Sequence, residues 1–287
     1  MAKPFLKWAG GKGQLLNIIE ENLPHTFNTY IEPFVGSGAV MFDVLRKMPT
    51  IHRVIINDIN SDLINTYVTI RDHCEELLKI LGELQDDYYS KSPIDKGAMF
   101  YAIRDEYNQR DTTKSRMAAL FIFLNRTCFN GLYRVNSKNL FNVPFGKYVN
   151  PKICDKTNLL EVSSLLKKVE LFNGDYSDLA QFADKDCFVY LDPPYKPISE
   201  TSTFNSYCAC NFDDTEQVRL KEFCDLISKR GAKFMLSNSD PSSINPDNDF
   251  FDRLYSAYSI RRVMAKRNIN SKADKRGAIN ELLITNY

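Results

Sequence analysis

Between residues 28 and 58 the chain runs strand, tight turn, helix, strand, and that order restricts the fold more than any other feature of its 287 residues. "TYIEPFVGSGAV" passes from an extended segment through a glycine-containing turn into an apolar helix near Ala39 to Arg46. "RVIINDIN" then returns as a second buried strand ending at Asp58. Such a unit opens a doubly wound sheet, in which ligands sit at the carboxyl ends of the strands. Strand-like segments come back at "DCFVYLD", "AKFMLSN", "YSIRRVMA" and "INELLITNY". Residues 62 to 125 carry helical periodicity instead, in "DLINTYVTIRDHCEELLKILGEL", "GAMFYAIRDEYNQR" and "TKSRMAALFIFLN". The economical reading is an α/β domain split by a helical, basic insertion.

At 44% hydrophobic the chain can bury one large core or two modest ones. The Met-Ala-Lys start lacks an apolar stretch of signal-peptide length, and no run approaches the roughly 18 apolar residues of a membrane helix. A cytoplasmic protein is expected. The seven cysteines are odd in number and lack framework spacing, so reduced thiols are expected rather than disulfides. Cys208 and Cys210 have no neighbouring His or second Cys pair to complete a zinc site, and no metal is expected.

The net charge of +1 hides an uneven distribution. Thr113 to Lys152 holds seven basic residues and no acid; Arg261 to Arg276 holds seven more against Asp274 alone. The remainder is acidic, so two basic faces on an acidic body suggest a polyanion held at defined places. Solvated surface stretches are the plainer alternative. The first stretch, "FLNRTCFNGLYRVNSKNLFNVPFGKY", also interleaves Phe129, Tyr133, Phe141, Phe145 and Tyr148 with cations and asparagines. Asn130-Gly131 and Asn136-Ser137 signal turns, so it reads as a hairpin or irregular loop. Arginine can read guanine in a major groove and aromatic rings can stack on or wedge between bases. Equally, the rings can hold a loop to its own domain.

Two turns are candidates for a small-molecule site. Gly36 and Gly38 lie where absent side chains let a ligand approach the backbone and the next helix, and Asp58 falls where an acid meets ribose hydroxyls in nucleotide folds. The full G-x-G-x-x-G is missing, which favours a nucleoside such as S-adenosylmethionine over a pyrophosphate cofactor. In "FVYLDPPYKP", a buried strand ends on a carboxylate, two prolines and an aromatic ring. Proline lacks an N–H and fixes its own φ, so the carbonyls around Pro193 can point outward as acceptors. Two acceptors beside Tyr195 suit the amino group of a flipped adenine, whereas read blandly DPPY is a strand-to-loop turn.

These motifs, in the order "FLKWAGGK", "EPFVGSG", "NDIN", "FLNRTCFNGLYRVN", "FNVPFG", "GDY" and "YLDPPY", resemble the Dam-type family of DNA adenine-N6 methyltransferases. The resemblance spans nearly the whole chain. It implies a seven-stranded, mostly parallel Rossmann-like sheet with an inserted helical recognition domain, divided as residues 1–65, 66–160 and 161–287. By the same resemblance Trp8, Ala9, Gly10 and Lys12 would border S-adenosylmethionine. Glu32, Phe34, Gly36 and Ser37 would surround its methionine portion, Asp58 its ribose, and Asp175 and Tyr176 its adenine. Asp192, Pro193, Pro194 and Tyr195 would bind the target adenine, with Asp192 also reaching the cofactor. Lys7, Arg126, Phe129, Asn130, Leu132, Arg134, Asn136 and Pro144 would contact duplex DNA. Arg134 would read a guanine, Leu132 a thymine methyl, and Phe129 would wedge near the flipped base, with GATC as the expected site.

The loop "KPISETSTFNSYCACNFDD" is expected to close on the target, and the basic C-terminal run to hold backbone phosphates. A cognate restriction endonuclease in the same system, without a stable complex, is the one protein partner entertained. The competing readings are a methyltransferase acting on RNA or on a protein amide, and a non-catalytic DNA-binding relative. The aromatic, basic GLYR segment argues against the first, and the intact KWAGGK, EPFVGSG, NDIN and DPPY against the second.

Overall fold

The structure is a computed structural model that describes residues 1–8, 10–196, 212–266 and 278–287. Ala9, most of the loop after Tyr195 with Cys208 and Cys210, and the basic run from 267 to 277 lie outside the described residues. Strands β1 (Thr29–Glu32), β2 (Arg53–Asp58), β3 (Val169–Asn173), β4 (Cys187–Leu191), β5 (Lys233–Ser239), β6 (Ser259–Lys266) and β7 (Ala278–Thr285) form one sheet. Their order is β3-β2-β1-β4-β5-β7-β6. The first five in that order are parallel; β7 runs antiparallel to both β5 and β6. The sheet is therefore mostly parallel, as expected.

The central strands follow from their composition. Parallel strands covered on both faces read as unbroken apolar runs, and "CFVYL" of β4 is buried at every position. Ile31 of β1 sits between Ile55 of β2 and Val189 of β4. From β1 the chain turns outward to β2 and β3, then crosses back to β4 and β5. The sheet order thus reverses between β1 and β4, and the turns leaving those two strands flank the crevice where such sheets bind ligands.

Helix α1 (Leu16–Glu21) precedes β1, and α2 (Ala39–Lys47) follows it. The periodic run after β2 is two helices, α3 (Ser61–Asp72) and α4 (Cys74–Ser90), separated by His73 at φ −130° and ψ 36°. Asn60 starts α3 by accepting the Leu63 N–H at 3.0 Å, and the helix packs against β2 and β3 as well as α6 and α7. Helices α5 (Pro93–Gln109) and α6 (Lys114–Thr127) complete the helical segment. Helix α6 is buried almost all round, from Ala118 to Asn125, because α3, α4 and α5 all pack on it. Its Ile122 and Leu124 share one continuous core with Tyr30 and Ile56 on one face of the sheet. The opposite face, including Ile55 and Val189, is covered by α8 (Asp214–Lys229) through Leu220, Phe223 and Cys224.

Strand β3 and helix α7 (Lys156–Leu166) had no counterpart in the sequence reading. "VELFN" sits at the sheet edge with one fully buried position, so it shows neither an apolar run nor a clear alternation. The aromatic segment forms no named strand; isolated antiparallel bridges join Cys128 to Phe145 and Val135 to Phe141. Part of the basic character is neutralised locally. Arg116 pairs with Glu106, and Arg262 with Asp240 and Asp252, acids lying outside the two basic stretches. Among the described residues no helix is long and apolar enough to cross a membrane.

Candidate active site

The turns after β1 and β4 and the end of β2 enclose a cavity of about 440 Å³. Gly36 and Gly38 shape its first wall with φ of 49° and 72°. A Cβ on Gly36 would stand 2.9 Å from Trp8 Nε1, and one on Gly38 2.7 Å from the Tyr67 hydroxyl. Tyr67 donates that hydroxyl to the Gly36 carbonyl at 3.0 Å, so the turn is pinned from behind. Asp58 closes it from the side: Oδ2 accepts the Gly36 N–H at 3.1 Å and Oδ1 the Asn60 N–H at 2.9 Å. Burial still pushes the Asp58 pKa up to about 6. Glu32 accepts the Tyr30 hydroxyl at 2.7 Å, and burial pushes its pKa up to about 8.

At the end of β4, Asp192 Oδ1 accepts from Lys12 Nζ at 2.8 Å and from the Ser237 hydroxyl at 3.1 Å. Burial raises the Asp192 pKa, and the Lys12 ammonium opposes that rise. Lys12 is itself buried, donates to the Gly10 carbonyl at 2.7 Å, and lies 4.5 Å from the centre of the Tyr195 ring. Tyr195 donates its hydroxyl to Glu281 of β7 at 2.7 Å, and the Pro194 carbonyl accepts from Gln217 at 3.3 Å. The turn therefore presents a carboxylate and a ring whose positions are fixed from β5, β7 and α8.

The opposite wall is aromatic. Tyr176 packs 5.1 Å from Phe34 and 6.4 Å from Phe212, ring centre to ring centre. Asp175 beside it is held by Arg219 of α8. Trp8, Gly10, Lys12, Glu32, Phe34, Gly36, Ser37 and Asp58 all face this one cavity. So do Asp175, Tyr176, Asp192, Pro193, Pro194 and Tyr195.

The family model for D12 class N6 adenine-specific DNA methyltransferases matches residues 8–269. The chain belongs to that family. The methyltransferase is 48% identical over 293 aligned residues to the type II methyltransferase M.MjaIII of Methanocaldococcus jannaschii, covering 99% of each chain. It is 38% identical to the type II methyltransferase M1.LlaDCHI of Lactococcus lactis subsp. cremoris, covering 99% of this chain and 95% of that one. To the DNA adenine methylase of Haemophilus influenzae it is 32% identical, covering 98% and 92%. Adenine-specific methylation of DNA is thus the activity of its family.

The residues of the methyltransferase expected to meet DNA lie apart from the cavity, beyond Trp8. Phe129 is 52% exposed, and Asn130 next to it is in the left-handed region at φ 55°. Leu132 is half-buried and Pro144 exposed, its carbonyl accepting the Phe129 N–H at 2.9 Å. The Arg134 guanidinium donates to Asn142 Oδ1 at 2.7 Å. Lys7 packs its stem against Gly131, where a Cβ would come within 2.4 Å of it, and its ammonium lies over the Tyr148 ring. Asn136 and Arg126 are engaged by the chain itself: Asn136 Oδ1 accepts the Lys138 and Leu140 N–H groups of its own turn, and Arg126 donates to the Phe5 carbonyl at 2.7 Å.

Sequence reasoning missed several groups. Buried Asn125 accepts the Lys7 N–H at 2.8 Å and donates to the carbonyls of Lys7, at 2.8 Å, and Gly131, at 3.0 Å, locking the two segments together. Ser237, Glu281 and Arg219 reach the site only through the fold. No local motif marks them.

Proposed function

We propose that the enzyme moves a methyl group from S-adenosylmethionine to N6 of an adenine turned out of duplex DNA, within GATC. The observation that carries this reading is the convergence of the Gly36 turn, Asp58 and the Asp192–Tyr195 turn on a single cavity. A nucleoside side and an amine-accepting side meet there without a wall between them. The cavity suits the cofactor: carboxylates for hydroxyls and cationic centres, aromatic faces for a purine, and a glycine turn that a Cβ would obstruct. Asp58 would take the ribose, Glu32, Phe34 and Ser37 the methionine end, and Asp175 and Tyr176 the adenine. Trp8, Gly10 and Lys12 would close the near edge.

When bound, S-adenosylmethionine supplies an electrophilic methyl group on a sulfonium. The chain's part is to make a poor nucleophile better, since the adenine amine shares its lone pair with the ring. Both donors on Asp192 fall on Oδ1, which leaves Oδ2 as the acceptor for one N6 hydrogen. The Pro193 carbonyl takes the other, and the Tyr195 ring stacks on the purine. Those bonds draw the nitrogen towards tetrahedral geometry and release its lone pair, so positioning and electrostatics carry the catalysis. The proton that N6 sheds on methylation would pass to Asp192 Oδ2, the acceptor already bonded to it, and from there to solvent.

DNA would be held by Lys7 and the exposed edge from Phe129 to Pro144, with Arg126 and Asn136 supporting that edge from within. Arg134 reads a guanine, and its replacement by alanine is expected to weaken discrimination at that base about ten- to a hundredfold. Labelled methyl transfer to unmethylated duplex, mapped base by base, tests both halves. Transfer confined to adenine of GATC supports the reading, another motif overturns the recognition half, and transfer to RNA or protein alone overturns the substrate. Kinship to enzymes named type II methyltransferases supports service beside a restriction endonuclease, without a stable complex.

Asp58 and Glu32 give the cofactor site a pH dependence. Their folded pKa values, about 6 and about 8, exceed the ordinary 3.8 and 4.5, so the folded chain binds protons more tightly than the unfolded one. Their contribution to stability is therefore greatest at low pH and declines as pH rises through that interval. A cofactor carrying sulfonium and ammonium charges favours the ionised carboxylates. Its affinity is expected to rise between about pH 5.5 and pH 8, with proton release near neutrality, measured by calorimetry in buffers of different ionisation enthalpy. A flat profile would remove both groups from cofactor binding.

A further inference from the structure

Helix α8 brings a cation to the cavity wall that the transfer chemistry above does not use. The helix is fixed firmly: Asp213 caps it by accepting the Thr215 and Glu216 N–H groups, and Gln217, Leu220 and Cys224 are fully buried beneath it. From that base Arg219 spreads its fork over Asp175, with Nη1 donating to Oδ2 at 2.9 Å and Nη2 to Oδ1 at 2.5 Å. Further bonds reach the Ser177 hydroxyl and Glu216 Oε2, both at 3.1 Å. The same guanidinium lies 4.9 Å from the centre of the Tyr176 ring.

An ion pair with side chains 40% and 36% exposed stabilises a fold little. Its geometry is nevertheless specific. A bidentate fork fixes the carboxylate plane, and a flat cation over a ring fixes the ring, which a lysine could not do together. The Ser177 hydroxyl, donating to Oδ1 at 2.5 Å, and the Ser177 N–H at 2.9 Å complete the set on Asp175. Burial alone would raise the Asp175 pKa, and the Arg219 and Ser177 hydrogen bonds outweigh it, keeping the group below the usual carboxylate range.

We propose that Arg219 is a positioning residue for the cofactor, orienting the Asp175 carboxylate and the Tyr176 ring as an acceptor and a stacking face for its adenine. The inference rests on the reading that Asp175 and Tyr176 hold that adenine. Arg219 acts through those two groups and, among the described residues, makes no hydrogen bond to the Asp192–Tyr195 turn, so its loss weakens cofactor binding rather than the chemical step.

The test compares Arg219→Ala, Arg219→Lys, Asp175→Ala and the Arg219→Ala/Asp175→Ala double variant. The readouts are S-adenosylhomocysteine affinity, the KM and kcat for S-adenosylmethionine, and thermal unfolding without ligand. Arg219→Ala is expected to weaken binding and raise KM about tenfold, the scale of a charge-assisted hydrogen bond, with kcat and unfolding temperature nearly unchanged. Arg219→Lys falls in between, and the double variant binds no worse than Asp175→Ala alone because the two act as a unit. Normal binding by Arg219→Ala beside weakened binding by Asp175→Ala overturns the role of Arg219 alone. Normal binding by both overturns the assignment of Asp175 as well. A fall in kcat or in ligand-free stability that matches the loss of affinity makes Arg219 a structural residue and refutes the proposal.

Discussion

Replacing Asp192 with alanine is expected to lower methyl transfer by about 10²- to 10³-fold, the scale on which a preorganised electrostatic group acts, while DNA affinity is largely retained. The carboxylate directly follows β4 and faces the same cavity as Gly36, Asp58 and Tyr176. Removing it deletes the proposed acceptor for the amine and strands Lys12, a 5% exposed cation, without its 2.8 Å partner. The second effect adds instability, since a buried charge that loses its partner is costly. Asp192→Asn separates the two by keeping the shape and one acceptor while removing the charge. Single-turnover methyl transfer at saturating cofactor measures the loss, and activity above about a tenth of the parent enzyme in the alanine variant would rule out the central role of the carboxylate.

The second large effect is expected at Gly38. Its φ of 72° is a left-handed conformation, which disfavours side chains by about 1–2 kcal/mol. A Cβ there would also stand 2.7 Å from the hydroxyl of fully buried Tyr67 and 3.1 Å from Met41 Cε, overpacking a site that cannot give, at about 1–3 kcal/mol more. Gly38→Ala should therefore lose about 2–5 kcal/mol and at least about 5 °C in unfolding temperature. It should bind cofactor poorly as well, because Tyr67 holds the Gly36 carbonyl. Gly82→Ala is the contrast. That glycine lies inside α4 with nothing within 4 Å of its Cβ position, and alanine there should stabilise by about 0.5–1 kcal/mol. Equal melting temperatures for the two variants would show that the turn is not strained as described.

What could be read from the sequence was whatever the local backbone dictates. Two glycines before an apolar helix, and Asp-Pro-Pro-Tyr after a wholly apolar strand, force turns at strand ends, and both turns border the cavity. The groups that fix those turns were illegible because they arrive from far along the chain. Ser237 comes from the parallel neighbour of β4, and Glu281 from a strand inserted antiparallel between β5 and β6. Arg219 depends on the rotation of an amphipathic helix. The aromatic segment left two readings open, and its rings divide between exposure and burial: Phe129 faces solvent, whereas Tyr133 and Phe141 pack in the core. Charge counting misjudged Arg262, whose acidic partners are close only in space.

Trp8 is the only tryptophan in the chain. Its indole touches the Gly36 turn on one side and stacks on Tyr133 at 5.7 Å and 16° on the other. Tyr133 belongs to the segment that carries Phe129 and Arg134. One fluorophore therefore sits between the proposed cofactor turn and the proposed recognition edge, and its emission is expected to report the filling of either without any added label. Under the proposed assignments both ligands would press on the same ring, and any factor by which one changed the affinity of the other would then hold in both directions.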